Sequence, residues 1–454
     1  MRARPFPLYL ELWLAISVVT AGCATAPPTL PQAPVPLETG ATEPLKVSQS
    51  ASGLKVVEDP SAPGQFMAGL LFRGGPINDP ADLPGLTEWV VDAALLGTQG
   101  RDPSTESPHQ RALALGGTIE AVATGAVVGW LIAGPSERSG ELLELLFEVA
   151  TRPSFPATRT SMAVTRNRDG LEAKGDALVE RAIAIALGQA IGLGRPLYMG
   201  PTRGMFERVT LAHTERHWRR IVQPEWGALV VLGANAPDSA KLNGLQREWP
   251  SAPAQDDEPP STCVPQGRTA HLMVTPGSFG EHTIALWGGP APGLGEPGRR
   301  AAEALMVHLD ERAGGPIEDL VGASQARRSS PDIIDLGHIN GAPIAAALVG
   351  SAGPPERALK DLARVDEFLS ALGAAQGVSG DDAAEANRRL QGSEHMGLHR
   401  PFHSVLRRAT DVWRREGTHE PSAAEMNAAA VPLFAPWRSS LVLVGSMDLR
   451  DSLA

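Results

Sequence analysis

His213 and His217 lie four residues apart in the run His213-Thr214-Glu215-Arg216-His217. On a helix that spacing puts both imidazoles on one face, where they could grip a metal ion. The order H-x-E-x-H matches no zinc-peptidase pattern, and the segment also reads as an amphipathic helix running into Trp218. His395, His399 and His403 repeat at the same interval. Gly397 and Pro401 interrupt the helix that would align them, so they read as surface side chains. Glu88 and Asp92 form an i, i+4 carboxylate pair, an arrangement that costs a helix about 0.2–0.5 kcal/mol and reads as a solvated face. Gly293-Leu294-Gly295-Glu296-Pro297-Gly298 matches the dinucleotide fingerprint G-x-G-x-x-G between a strand and a helix. The preceding Gly288-Gly289-Pro290-Ala291-Pro292 lengthens that loop beyond the tight turn a phosphate site needs. The chain contains no G-x-S-x-G nucleophile elbow and no C-x-x-C, so serine-hydrolase and thiol-redox chemistry have no support.

The elements that must position these residues follow from hydrophobic periodicity. Leu54 to Val57 and Phe66 to Phe72 read as strands, followed by Gly74-Gly75-Pro76, a loop, and a helix from about Leu86 to Leu96. Thr118 to Val122 and Ala126 to Ile132 read as a hairpin around Thr124-Gly125, and Glu141 to Ala150 as a helix. The same opening recurs later. Ala270 to Val274 and His282 to Trp287 lead into Gly288-Gly289-Pro290, a loop, and a helix from about Arg299 to Asp310. A chain of 454 residues exceeds what one core supports. The expectation is α+β with two related domains, each a mostly antiparallel sheet packed by helices. The first domain spans 47–236 and the second 267–454, joined by a proline-rich linker at 237–266.

The order strand, strand, Gly-rich loop, helix, hairpin, helix resembles the insulinase/pitrilysin family of zinc metallopeptidases from about Gly53 to Val444. Local phrases carry the likeness: Gly53-Leu54-Lys55-Val56-Val57, the helix from Gly85-Leu86 to Gly97-Thr98, Arg195-Pro196-Leu197-Tyr198, and Gln223-Pro224 leading into Ala228-Leu229-Val230-Val231-Leu232-Gly233. The resemblance implies an H-x-x-E-H motif on the helix after Gly85-Leu86, with two imidazoles on zinc and a glutamate that deprotonates its water. Those five positions here read Glu88-Trp89-Val90-Val91-Asp92. Both ligands are gone and the base has become Val91. The family's third ligand falls near Asp169. The Tyr of the family's second half has no counterpart, because the two tyrosines are Tyr9 and Tyr198. The resemblance therefore implies a non-catalytic member without a metal or other cofactor. The alternative is a metallopeptidase or metal-binding enzyme with a rebuilt site, in which Glu88, Asp92 and Asp169 converge on a hard cation.

Partners follow from charge and from the N-terminus. A formal charge of -11 would repel a phosphate backbone, which argues against nucleic acid. Arg2 and Arg4, the apolar stretch Leu12 to Val19 and Thr20-Ala21-Gly22-Cys23 compose an export signal over 1–23. Its end resembles a bacterial lipobox, with Thr20 where an aliphatic residue is usual. The resemblance implies lipidation at Cys23 and, with Ala24 next, anchorage at the outer membrane facing the periplasm. Cys263 is then the remaining thiol and has no partner within the chain for a disulfide. Residues 24–46 read as a proline-rich spacer. The family builds its chamber from four such domains and this chain supplies two, so the resemblance implies a catalytic metallopeptidase relative or a second copy as partner, and an extended peptide as ligand. Replacing Cys23 with Ser is expected to move the mature protein from the detergent to the aqueous phase on Triton X-114 partition. Retention in detergent would remove the lipoprotein reading.

Overall fold

A computed structural model describes residues 46–59, 66–102, 106–172, 177–234, 249, 269–274, 283–293, 296–309, 332–339, 342–374, 377–398, 401–413, 420–434 and 440–445. The export signal with Cys23, the spacer up to residue 45, nearly all of the linker, Cys263 and His399 lie outside them. No helix among the described residues is long and apolar enough to cross a membrane.

The first half runs β1 (Lys46–Gln49), β2 (Lys55–Asp59), β3 (Phe66–Arg73), α1 (Leu86–Ala94), α2 (Pro108–Ala114), β4 (Thr118–Thr124) and β5 (Val127–Gly134). It continues with α3 (Ser139–Thr151), α4 (Ala157–Glu172), α5 (Ala177–Ala190), α6 (Arg203–Arg208), α7 (Leu211–Ile221) and β6 (Gly227–Leu232). The second half runs β7 (Thr269–Val274), β8 (Thr283–Ala291), α8 (Arg299–Leu309), β9 (Asp332–Ile339), β10 (Ala342–Gly353), α9 (Pro355–Ala374), α10 (Gly380–Leu398), α11 (Pro401–Trp413), α12 (Ala423–Leu433) and β11 (Ser440–Gly445). The α+β architecture with two sheets is as the sequence implies. The first sheet is ordered β1-β2-β6-β3-β5-β4 and the second β7-β11-β8-β10-β9. Without β1 the two orders are the same. In each, one parallel pair, β2 with β6 and β7 with β11, sits in an otherwise antiparallel sheet.

The repeat is not perfect. Gly288-Gly289-Pro290, expected to open a loop, instead continues β8 and pairs with Leu348, Ala347 and Ala346 of β10. The long partner strand extends the ladder through them. Gly288 suits this place because a Cβ there would lie 2.9 Å from Leu348 Cδ2 and 3.4 Å from the Ala186 carbonyl of α5.

The central strands β3 and β6, and the described parts of β8 and β10, are buried on both faces, and period-2 alternation shows how. In β3 and β6, Phe66, Ala68, Leu70, Phe72, Leu229 and Val231 face a core with α1, α3 and α7. The alternate residues Met67, Leu71, Ala228, Val230 and Leu232 face Val405, Ala409 and Trp413 of α11, a helix of the second half. The exchange is reciprocal. On the second sheet Trp287, Ala345 and Ala347 pack on α8, α9 and α12. Leu286, Ala346 and Leu348 pack on Ala182, Ala186, Leu187 and Ala190 of α5, a helix of the first half. Arg408 on α11 pairs with Asp59 on β2 at 2.6 Å, and Lys55 Nζ donates to the Val412 carbonyl near the end of α11 at 2.8 Å.

Close approach of α11 requires Gly69 in β3, where a Cβ would lie 2.4 Å from Val405 Cγ1 and 2.8 Å from Leu131 Cδ2. Gly69→Ala is expected to destabilise the chain by about 1–3 kcal/mol through overpacking. Adding Val405→Ala should relieve part of that, with a coupling of at least about 0.5 kcal/mol by urea denaturation. Strict additivity would place α11 elsewhere.

Candidate functional site

The candidate site is the face of α1 that carries the degenerate motif, and it is set by how α1 begins. Its cap is Gly85, with φ 88, so the helix has no capping side chain of its own there. A Cβ on Gly85 would lie 2.1 Å from Pro201 Cα, which excludes any larger residue. Asp79 takes over the capping role. Its carboxylate accepts from Gly85 N at 2.6 Å, Thr87 N at 2.8 Å and Thr87 Oγ1 at 2.6 Å. An anion at the positive end of a helix is favoured there. Thr87 Oγ1 also meets His217 Nε2 of α7 at 2.8 Å, and Arg195 donates to the Asp79 carbonyl at 3.3 Å. Asp79, Thr87 and His217 are all buried.

Further contacts fix the rest of α1. Trp89 Nε1 donates to Thr214 Oγ1 at 3.2 Å, and the Trp89 ring meets Phe206 edge-on with centroids 5.5 Å apart. Trp130 Nε1 of β5 donates to the Val91 carbonyl at 2.9 Å. Val91 is 1% exposed, so the position of the expected base is part of the core. Glu88 and Asp92 are half-buried rather than on a solvated face. Glu88 stands over the 199–202 loop, its Oε2 3.2 Å from where a Gly200 Cβ would be. The Asp92 backbone carbonyl accepts from Leu95 N at 3.1 Å, and its carboxylate makes no hydrogen bond or ion pair among the described residues. Burial pushes its pKa up to about 6, opposed in part by the charge of Arg166 on α4.

Asp169 does not join them. Its side chain is 59% exposed and its carboxylate lies 3.3 Å from Arg168. Among the described residues no group of three or more metal-ligating side chains forms. His213 and His217 do not act together either. The His213 Nδ1 accepts from Thr210 N at 3.3 Å and closes the capping box of α7, whereas His217 points inward to Thr87. Gly293 N donates to Glu296 at 2.7 Å, and Arg299 is buried in a bidentate pair with Asp335 at 3.0 Å for each bond. His395 and His403 fall on α10 and α11.

Sequence reading missed Asp79 and Thr87, and with them the role of His217. The available signal was a helix opening on glycine with no Ser, Thr, Asp or Asn at its cap, which calls for an acceptor from elsewhere.

No protein-family model and no curated protein sequence matches this chain. Solved structures do. A protease from Helicobacter pylori superposes with a TM-score of 0.68 at 14% identity, over 88% of this chain and 99% of that one. A protein described as a peptidase M16 inactive domain, from Pseudomonas fluorescens, gives 0.65 at 16% identity over 89% and 98%. An M16-like peptidase from Alicyclobacillus acidocaldarius gives 0.59 at 17% identity over 88% and 98%. The likeness is one of fold, shared with structures described as a protease, an inactive M16 domain and an M16-like peptidase.

The Asp79–Thr87–His217 chain sets a pH dependence. Burial raises Asp79 from 3.8 to about 7, against its three hydrogen bonds, and lowers His217 from 6.5 to about 3. The Asp79 contribution is therefore present below 3.8 and lost as pH rises through about 7. The His217 contribution is present above 6.5 and lost as pH falls toward about 3. Between 3.8 and 6.5 the folded and unfolded pair each hold one proton, so the two slopes cancel. His217→Gln is expected to uncover the Asp79 slope, so that stability falls with rising pH across that window by about 1 kcal/mol per pH unit. Urea midpoints at several pH values check it. A variant whose midpoint rises with pH would refute the pairing.

Proposed function

We propose that this chain is a non-catalytic, peptidase-like envelope lipoprotein that holds an extended peptide or completes a chamber with a catalytic metallopeptidase relative. The observation that carries the reading is α1. The helix is locked in place at both ends, yet the positions that correspond to the zinc motif are Glu88, Val91 and Asp92. They supply no imidazole to bind zinc, and the residue in the place of the base is an aliphatic side chain in the core. The likeness to a protein described as an inactive M16 domain supports the same reading.

The peptide-holding part rests on β4. It forms one edge of the first sheet, its backbone on that side has no strand beside it among the described residues, and α1 packs across β4 and β5. An extended peptide can add to such an edge through main-chain hydrogen bonds. The rebuilt-enzyme alternative needs Glu88, Asp92 and Asp169 together, and Asp169 is turned to solvent beside Arg168.

The purified chain is expected to carry no stoichiometric zinc and to cleave no unfolded peptide. It is expected to co-elute on gel filtration with an H-x-x-E-H relative from the same envelope and to change that relative's peptidase rate. A molar equivalent of zinc together with peptide cleavage would replace the non-catalytic reading. Elution as a monomer or homodimer, with no effect on the relative's rate, would leave peptide holding alone.

A further inference from the structure

Thr87 Oγ1 is the middle of a buried chain of three polar groups. It lies 2.6 Å from Asp79 Oδ1 and 2.8 Å from His217 Nε2, whereas those two atoms are 3.5 Å apart, too far for a good hydrogen bond of their own. A hydroxyl carries one hydrogen, so it donates to one of these neighbours and accepts from the other. The Gly75 carbonyl, at 3.5 Å, competes weakly for that hydrogen. The remaining partners of the Asp79 carboxyl, Gly85 N and Thr87 N, can only donate. Two arrangements satisfy the chain. With Asp79 ionised, Thr87 donates to Oδ1 and the Nε2 hydrogen of His217 is donated to Thr87. With Asp79 protonated at Oδ1, the acid donates to Thr87, Thr87 donates to Nε2, and the imidazole carries its hydrogen on Nδ1.

The two arrangements differ by one proton and by the direction of both hydrogen bonds. A proton added at Nδ1 converts the first into the second when the Nε2 hydrogen passes to Thr87 Oγ1 and the Thr87 hydrogen passes to Asp79 Oδ1. Stopping before that transfer would leave an imidazolium and a carboxylate in the core, each without its hydration. The charges around the chain do not rescue that state. Arg220, on α7, opposes the imidazolium, and Arg195 favours the carboxylate without offsetting its burial. Glu88 stands over Gly200, and Asp335 of β9 is paired with Arg299. Asp82 is exposed, His213 closes its capping box, and Glu215, Arg216 and Arg219 lie off the buried face of α7.

We propose that Asp79, Thr87 and His217 form a proton switch, in which a proton taken up by the imidazole ends on the Asp79 carboxyl, reverses the Thr87 hydroxyl and leaves the ring protonated at Nδ1 instead of Nε2. The switch ties together the 75–79 segment, the start of α1, and α7. The first of these also reaches the second half. A Cβ on Gly75 would lie 2.6 Å from the Leu336 carbonyl of β9, and Ile77 packs with α5 and the second sheet. The protonation state of this cluster is therefore built into the junction that holds α1 and joins the halves. It operates whether or not the chain holds a peptide.

The test uses the full chain with isotope-labelled histidine and follows the ring nitrogens by long-range proton–nitrogen NMR on either side of about pH 7. The His217 signals are those that vanish in His217→Gln. On the acid side Nε2 is expected to resonate as a bare ring nitrogen and Nδ1 as a hydrogen-bearing one, and on the alkaline side the two should exchange roles. Asp79→Asn, which keeps the shape and removes the titrating group, should hold the ring in one tautomer throughout. Thr87→Ser keeps the hydroxyl and should keep the exchange, whereas Thr87→Val should abolish it. Melting temperatures establish that each variant is folded, and if Thr87→Val is not, Thr87→Ser and Asp79→Asn carry the test. One tautomer on both sides in the parent chain would overturn the switch. So would two hydrogen-bearing nitrogens on the acid side, which mark an imidazolium. Loss of the exchange in folded Thr87→Ser, or its persistence in Asp79→Asn or folded Thr87→Val, would overturn it as well.

Discussion

Each of the two sheets has to be covered on both faces, and no half of the chain covers its own sheet twice. β3 and β6 are buried along nearly their whole length, with large aliphatic and aromatic side chains alternating to either side. Burial of each such side chain contributes about 1.5–3 kcal/mol, so a sheet wetted on one face would forfeit much of the stability of its half. The solution is the exchange of α5 and α11, each donated to the other half's sheet. The polar contacts of α11, from Arg408 to Asp59 and from Lys55 to the Val412 carbonyl, fix its position where hydrophobic packing alone would let it slide. The turn of the β4–β5 hairpin is held in the same way. Gly125, at φ 51, lies so close to the Asp335 carbonyl of β9 that a Cβ would sit 2.4 Å from it. The β4–β5 turn thus lies directly against β9 of the second half.

Helix α1 illustrates how a site can lose its chemistry and keep its geometry. The interactions that orient it lie at positions flanking the motif: Asp79 and Thr87 before it, Trp89 and the Val91 carbonyl on the core side. None of these depends on a bound metal. Substitution at the outward positions 88 and 92 therefore leaves the helix in register. Asp79, ahead of the helix, and Asp92, in its last turn, differ in their hydrogen bonds. Asp79 is held by the amides of Gly85 and Thr87 and by the Thr87 hydroxyl, whereas the Asp92 carboxylate accepts no hydrogen bond from the described residues.

Much of the architecture was legible in the sequence because it is local or repeated. Strand and helix positions in the first half follow from periodicity, and the duplicated order of elements anticipated two sheets with the same strand sequence. The second half was less faithful, as the run of β8 through Gly288-Gly289-Pro290 shows, because a long partner strand overrode the turn signal of those residues. Contacts between distant segments left no local trace. Nothing near Gly69 announces Val405, and nothing near Asp79 announces His217. The histidine spacing drew attention to His217 for its metal-ligand potential, yet its partner is a threonine hydroxyl brought close by tertiary packing. The acidic pair was visible as a pair. Its half-burial against the rest of the fold was not.

The donation of α11 has a consequence in time. A ribosome, and any channel that threads the chain from its N-terminus, delivers Met67, Leu71 and Val230 long before Val405, Ala409 and Trp413. During that interval one face of the first sheet is uncovered, and β1 and β4 have no further strand beside them among the described residues. Such a species is prone to self-association until its lid arrives. A chain that ends before residue 401 is expected to expose the face lined by Met67, Leu71 and Val230, which α11 covers in the whole chain.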